Sequence, residues 1–179
     1  MMRVKKITEL NRVSIEEFKI LDKIPLVVIL DNVRSLNNIG SVFRTSDAFS
    51  VKAIYLCGIT ATPPHPDIHK TALGAEESVE WRYFEKTEDA VGELKQEEYT
   101  VCAIEQATGS IMLDEFSVDP DKRYAVVAGN EVKGVSQSVV DLCDCCIEIP
   151  QFGTKHSLNV SVATGLVIWD FFKGMICKE

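Results

Sequence analysis

The 179-residue chain lacks an apolar run long enough to cross a membrane, since the longest, Ile24 to Leu30, falls far short of the roughly 20 residues a helical span requires. Its charged start, MMRVKKITEL, leads into no apolar signal region, so a cytoplasmic protein is expected. A surplus of positive charge is missing as well. Lys and Arg number 19 against 27 Asp and Glu, and the net charge of −8 excludes a uniformly basic nucleic-acid coat. With 46% hydrophobic and 26% charged residues the chain is not a disordered one. No repeat and no tract rich in Gly, Ser or Pro divides it, and its length suits one domain around one core.

A metal or disulfide framework is also absent. The six cysteines (Cys57, Cys102, Cys143, Cys145, Cys146 and Cys177) follow no secretion signal and read as reduced thiols acting as small buried hydrophobes. Cys143 and Cys146 stand at C-x-x-C spacing, but no second pair completes a zinc site. His65 and His69, in TPPHPDIHK, have a spacing that pairs two ligands on a helix; the neighbouring prolines argue against a helix there, and a third ligand is not evident. No metal is expected.

Four apolar runs are present: PLVVIL (25–30), KAIYLC (52–57), YTVCAI (99–104) and RYAVVAG (123–129). They read as buried strands alternating with helical patterns, which predicts an α/β fold with a mostly parallel sheet flanked by helices. Charge is uneven. Residues 1–23 hold Arg3, Lys5, Lys6, Arg12, Lys19 and Lys23 against four acidic side chains, a net +2 that leaves −10 for the remainder. The expected organisation is a basic amino-terminal arm or helix over 1–23 and an α/β domain over 24–179. Between Glu76 and Glu98, nine carboxylates face only Arg82, Lys86 and Lys95, a stretch expected to be solvated surface turned away from any polyanion.

Three segments hold residue types that neither a core nor an ordinary surface requires. In DNVRSLNNIGSVFRTSDAF, Asn38 reads as the N-cap of a helix with Ile39, Val42, Phe43 and Phe49 on its apolar face and Gly40, Arg44 and Asp47 opposite. Gly40, one turn before Arg44, leaves room for a ligand to approach a guanidinium whose planar fork suits phosphate; an exposed Arg44–Asp47 pair is the plainer alternative. In AVVAGNEVKGVS, Gly129 and Gly134 permit close backbone approach at a strand end. Val135 and Ser136 stand where a Walker motif needs Lys and Ser or Thr, and a G-x-G-x-x-G fingerprint is missing. Glu131, taken singly, reads as a polar turn residue. In CIEIPQFGTKHSLNVSVATGLVIWDFF a strand yields to a glycine loop and then to a helix expected to be capped at Ser157. Ser157 and Asn159 then sit at an amino end suited to a carboxylate, hydroxyl or ribose.

Taken together, Asn38-x-Gly40-x-x-x-Arg44, Gly129-Asn130-Glu131-x-x-Gly134 and Ile149-Pro150-x-x-Gly153-x-x-x-Ser157-Leu158-Asn159-Val160-Ser161 resemble, in order, the motifs of the SpoU family of RNA ribose 2′-O-methyltransferases, TrmH-like members of the SPOUT superfamily. The resemblance covers residues 24–172. It implies a carboxy-terminal deep trefoil knot, an exception to the rule against knots, and a homodimer with active sites at its interface. It also implies S-adenosylmethionine as cofactor, held by Gly129, Asn130, Glu131, Gly134, Ile149 and Leu158, and a catalytic set of Arg44, Asn38, Glu131, Ser157 and Asn159. Arginine stays charged above pH 12, so Arg44 is better suited to clamping phosphate than to accepting a proton. Methyl transfer from a sulfonium needs no metal, only placement of the nucleophile and a route for its proton. The expected partner is RNA, with tRNA favoured over rRNA, bound along a strip of Arg3, Lys5, Lys6, Arg12, Arg34, Arg44 and Lys155. Segment 58–75 reads as a mobile substrate-side loop and His156 as a loop residue. An rRNA methyltransferase, or a catalytically silent RNA-binding protein on the same scaffold, are the alternatives.

Overall fold

Strands that are apolar on both faces must be covered on both, and the four long runs form the middle of a seven-stranded sheet whose neighbouring strands pair in parallel. A computed structural model of the protein describes residues 2–176. The strands are β1 (Ile24–Asp31), β2 (Val51–Cys57), β3 (Glu80–Phe84), β4 (Tyr99–Ile104), β5 (Ile111–Met112), β6 (Arg123–Ala128) and β7 (Cys145–Glu148), in spatial order β3-β2-β1-β6-β4-β7-β5. Along β1, Leu26, Val28 and Leu30 face one core layer while Val27 and Ile29 face the other. The first layer is completed by Phe18 of α1 (Ile15–Ile20), by Ile39, Val42 and Phe43 of α2 (Leu36–Ala48), by Ile68 and Ala72 of α3 (Pro66–Ala72) and by Val167, Ile168 and Phe171 of α7 (Val160–Ile176). Ala90, Val91 and Leu94 of α5 (Thr87–Gln96) and Val139 of α6 (Gln137–Val140) cover the second; α4 (Ala75–Ser78) leads back into β3.

Several local expectations are corrected. Helix α2 begins three residues earlier than the sequence reading placed it: Ser35, not Asn38, is the N-cap, its hydroxyl accepting from the Asn38 N–H at 3.3 Å. Gly40 is buried against α3, where a Cβ would stand 2.1 Å from Thr71 Oγ1 and 2.3 Å from the Ile68 carbonyl oxygen. The space left by the missing side chain therefore receives a helix, not a ligand. Segment 58–75 is no open loop, because Pro66 takes the first position of α3, where its missing N–H costs nothing, and Ile68 and Ala72 anchor the helix in the core. Helix α7 starts after Asn159, which caps it in place of Ser157: Asn159 Oδ1 accepts from the Ser161 N–H at 2.9 Å. Strands β3 and β5 were not foreseen. The first is an edge strand of charged and half-exposed residues and the second has two residues, so neither carries an apolar signal.

The amino-terminal segment holds a 3-10 turn (Ile7–Glu9) and α1, whose capping box pairs Ser14 with Glu17. Cys57 and Cys102 are buried and Cys143, Cys145 and Cys146 partly so; burial pushes the Cys57 and Cys143 thiols up to about 12. Cys177 lies outside the described residues. Among the described residues, no helix is long and apolar enough to cross a membrane.

Candidate active site

Parallel sheets offer the loops at the carboxyl ends of their strands as binding surface. Here the ends of β4, β6 and β7 open into a cavity of about 590 Å³, a size suited to a small molecule. Its lining includes all six residues expected to hold a cofactor, namely Gly129, Asn130, Glu131, Gly134, Ile149 and Leu158, together with Ser157 and Asn159.

The turn after β6 supplies one wall. Asn130 and Gly134 exchange backbone hydrogen bonds, the Asn130 N–H donating to the Gly134 carbonyl at 3.0 Å and the Gly134 N–H to the Asn130 carbonyl at 2.9 Å, and Asn130 Oδ1 accepts from the Val132 and Lys133 N–H groups inside the turn. Asn130 Nδ2 donates to the Asn32 carbonyl at 2.8 Å and so ties this turn to the one after β1. Both glycines are required. A Cβ on Gly129 would lie 2.2 Å from Gly134 C and from Val135 N, and Gly134 combines φ +69° with a would-be Cβ 2.1 Å from Glu105 Oε2.

Glu131 leaves this turn for the amino end of α2. Its carboxylate accepts from Arg34 N at 2.9 Å, Ser35 N at 2.8 Å and Asn38 Nδ2 at 3.1 Å. Burial pushes the carboxyl upward, but the backbone N–H donors and the Asn38 amide outweigh it and hold it below the ordinary carboxylate value. Asn38 Oδ1 in turn accepts from Asn159 Nδ2 at 3.1 Å. Glu131, Asn38 and Asn159, drawn from three distant segments, thus form one polar chain, with Glu131 and Asn159 at the cavity wall. Glu131 is more than the polar turn residue it resembled when read alone.

Ser157 lines the cavity and makes no side-chain hydrogen bond among the described residues. Arg44 is exposed and makes no hydrogen bond or ion pair among them either; the alternative Arg44–Asp47 pair does not form, and Asp47 Oδ1 instead accepts from Ser78 Oγ at 2.6 Å. Arg44 does not line the cavity of its own chain. Of the expected RNA strip, Lys5, Lys6, Arg12, Arg34 and Lys155 are exposed, while Arg3 forks onto Glu9 at 2.8 and 3.0 Å and so has its charge matched.

Two carboxylates that the sequence reading passed over support the site. Glu105, directly after β4, lines the cavity and accepts from Val135 N at 3.0 Å and Gln106 N at 2.8 Å. Asp31, the last residue of β1, is buried and accepts from Asn32 Nδ2 (2.8 Å), Thr87 Oγ1 (2.6 Å) and Ser136 N (3.1 Å). Their signal was positional: each is an acidic residue at the carboxyl end of a parallel strand. Neither His65 nor His69 belongs here. His65 Nδ1 accepts from Asp67 N at the start of α3 and His69 Nδ1 meets Glu76 Oε1 at 2.5 Å; among the described residues no group of three or more such side chains is arranged to hold a metal.

Comparison with known proteins bears on this geometry. The model of the SpoU rRNA Methylase family matches residues 25–169. Over 151 residues the chain is 32% identical to a tRNA (guanosine(18)-2′-O)-methyltransferase of Aquifex aeolicus, covering 81% of this chain and 67% of that protein. It is 31% identical over 147 residues to a Staphylococcus aureus protein named for the TrmH family of tRNA/rRNA methyltransferases, covering 82% of this chain and 58% of the other. Among solved structures, an AdoMet-bound rRNA methyltransferase from Sinorhizobium meliloti superimposes with a TM-score of 0.77 at 27% identity, over 86% of this chain and 57% of that one. The chain thus spans between 57% and 67% of the length of these proteins.

Proposed function

Because this chain belongs to the SpoU methylase family, we propose that it is an RNA methyltransferase that moves the methyl group of S-adenosylmethionine to a ribose 2′-hydroxyl, in tRNA and in the cytoplasm. The observation that carries this reading is the convergence of the 129–134 turn, the start of α2 and the 149–159 segment on one cavity, joined by the Glu131–Asn38–Asn159 chain. The lining fits the cofactor chemically. Ile147, Ile149, Leu158 and Ala163 offer apolar surface, the turn offers backbone, and the carboxylates of Glu105 and Glu131 suit a ligand carrying positive charge. A relative solved with AdoMet bound and one named for transfer to tRNA ribose point the same way.

When bound, the cofactor supplies an activated methyl group on sulfur. Its transfer would exchange the carbon–sulfur bond for a carbon–oxygen bond to the ribose, with the hydroxyl proton released to solvent. The protein's contribution is placement. Ser157 and Asn159, at the cavity wall, orient the ribose hydroxyl, and Asn159 is itself held by Asn38 and Glu131. With its acceptors filled by three donors, the Glu131 carboxylate acts as a strut and not as a base. Arg44, permanently charged and unpaired among the described residues, clamps an RNA phosphate.

Two architectural features belong to this proposal. The first is the knot. The connection from β4 runs out past β7 to β5 and back to β6, and its return limb packs on α7, with Phe116 5.4 Å from Phe171 between ring centroids and Val118 against Gly174. That excursion places a strand on either side of β7, which supports a carboxy-terminal segment threaded through it. The second is the homodimer. Leu158, Val162, Leu166, Trp169 and Ile176 are exposed large apolar side chains, and from Val162 onward they recur along α7 at helical spacing. Gly165 of α7 lies against Thr45 of α2, which sets Arg44 beside this stripe. A second copy seated there brings Arg44 to the partner's cavity, in keeping with its absence from its own. The exposed cations of residues 1–23, with Arg34 and Lys155, then extend the RNA surface.

The test is transfer of tritium from methyl-labelled S-adenosylmethionine to unmodified tRNA and rRNA, with the product mapped by nuclease resistance at 2′-O-methylated positions. Ribose methylation of tRNA that Arg44→Ala abolishes is expected. Methylated bases, label in rRNA alone, or RNA binding without transfer would each overturn a named part of the proposal.

A further inference from the structure

One buried carboxylate has no part in the cavity just described. Glu76, on α4, has a side chain only 8% exposed; its Oε1 meets His69 Nδ1 at 2.5 Å, while Oε2 is buried with no hydrogen-bond partner among the described residues. It was expected on solvated surface, and the structure corrects that. Glu76 stands in the wall between two cavities. The smaller, of about 420 Å³, is formed by Pro63, Pro64, Pro66, His69, Glu76 and Trp81, with Glu77 at its side. The larger, of about 790 Å³, adjoins the amino ends of β1, β4 and β6 and shares Glu76, Glu77 and Trp81 with the first. None of its four cations bonds Glu76 among the described residues: Lys23 donates to the Phe18 carbonyl, Lys52 to the Tyr99 hydroxyl and Arg123 to the Glu97 carbonyl, and Lys19 on α1 is exposed.

A carboxylate taken out of water calls for a cation or a set of donors, and here the protein provides a single imidazole. The walls beside it are proline rings and an indole, apolar surfaces that favour a flat guanidinium or the methylenes of an alkylammonium, with the indole face adding a cation–π contribution. Glu77 joins Glu76 in the lining of the smaller cavity, where neither Lys nor Arg is present, and so gives it the sign that attracts such a group and repels phosphate. We propose that the pocket bounded by Pro63, Pro64, His69, Glu76 and Trp81 binds an organic cation, a guanidinium or alkylammonium group, whose charge is neutralised by Glu76. Its source is either a basic side chain of a protein partner or a free polyamine. The site stands independently of the methyl-transfer reading.

The indole N–H signals of Trp81 and Trp169, distinguished with Trp169→Phe, report on the pocket in the ¹⁵N-labelled 179-residue chain. Titration with N-acetylargininamide or spermidine is expected to shift the Trp81 signal saturably at millimolar concentration while Trp169 stays still. A tighter response to the arginine probe points to a side-chain source, and to spermidine a polyamine source. In Glu76→Gln, shown by circular dichroism to be folded, the response should weaken at least tenfold. The uncharged citrulline analogue of the arginine probe provides a second control that needs no variant. No response to either cation, an unchanged response in Glu76→Gln, or an equal response to the citrulline analogue would overturn the site.

Discussion

Gly134 is the position at which backbone conformation, packing and the cavity wall meet, so its replacement by alanine gives a worked expectation. At φ +69° an alanine occupies the left-handed region, at a cost of about 1 kcal/mol. The added Cβ would lie 2.1 Å from Glu105 Oε2, so the carboxylate must move away and give up its bond to Val135 N. Losing one hydrogen bond to a charged, half-buried group costs about 1.5 kcal/mol. The sum, about 2.5 kcal/mol, corresponds to a melting temperature lower by roughly 5–10 °C for a domain of this length.

The attribution is checked by a double-mutant cycle followed by thermal unfolding. Glu105→Ala alone loses the bonds from both Val135 N and Gln106 N, about 3 kcal/mol. In Gly134→Ala/Glu105→Ala the clash is gone and the Val135 bond is lost only once, so the double variant should cost about 4 kcal/mol where additivity requires about 5.5. Coupling of about 1.5 kcal/mol is therefore expected, together with weaker binding of S-adenosylmethionine by calorimetry in Gly134→Ala, whose displaced turn forms the cavity wall. Costs that add to within about 0.5 kcal/mol would refute the proposed contact between Glu105 and position 134 as the cause.

Leu166→Glu, in the middle of the exposed stripe on α7, should convert a dimer into a folded monomer on size-exclusion chromatography with light scattering and remove methyl transfer; an active monomer would detach Arg44 from the partner's site. Replacing Lys5 and Lys6 together by alanine should weaken RNA binding and lower the slope of log K against log salt by about 2, with cofactor affinity unchanged; equal loss of both affinities would mean a structural role. The Glu131 carboxyl is held below its ordinary value near 4.5, so its stabilising contribution is present in full above that value and is lost as pH falls through the lower folded-state value. Glu131→Gln should accordingly be less stable than the parent at neutral pH and converge with it in acid, as read by urea denaturation at a series of pH values; a gap that persists below the folded-state titration would contradict the sign of the shift.

How far the sequence carried depended on the range of the interactions involved. Strands β1, β2, β4 and β6 were legible because burial on both faces demands apolar residues throughout, and that demand is local to each run. Strand β3, with Glu80, Arg82 and Tyr83 exposed at a sheet edge, is set by pairing with β2, which a run of five residues does not announce. The site divides in the same way. Gly129 and Gly134 were legible as points of close approach because a turn of this length leaves little room. The bond from Glu131 to Asn38 spans 93 positions, and the bond from Asn38 to Asn159 spans 121, so Glu131 read alone was an ordinary turn residue.

Gly40 shows the converse error. It and Arg44 lie one turn apart in the same motif and were read together as one opening for a ligand. The structure separates them: Gly40 is required by the Ile68 carbonyl and the Thr71 hydroxyl of α3, whereas Arg44 is free in solvent. Proximity along a helix therefore did not imply a shared purpose. The glycine brings α3 onto α2, so that Ile68 and Ala72 enter the core. Arg44 makes no contact that the fold needs among the described residues. The loss of Arg44 should thus be felt in turnover and not in folding, while a side chain at position 40 must displace a helix whether or not RNA is present.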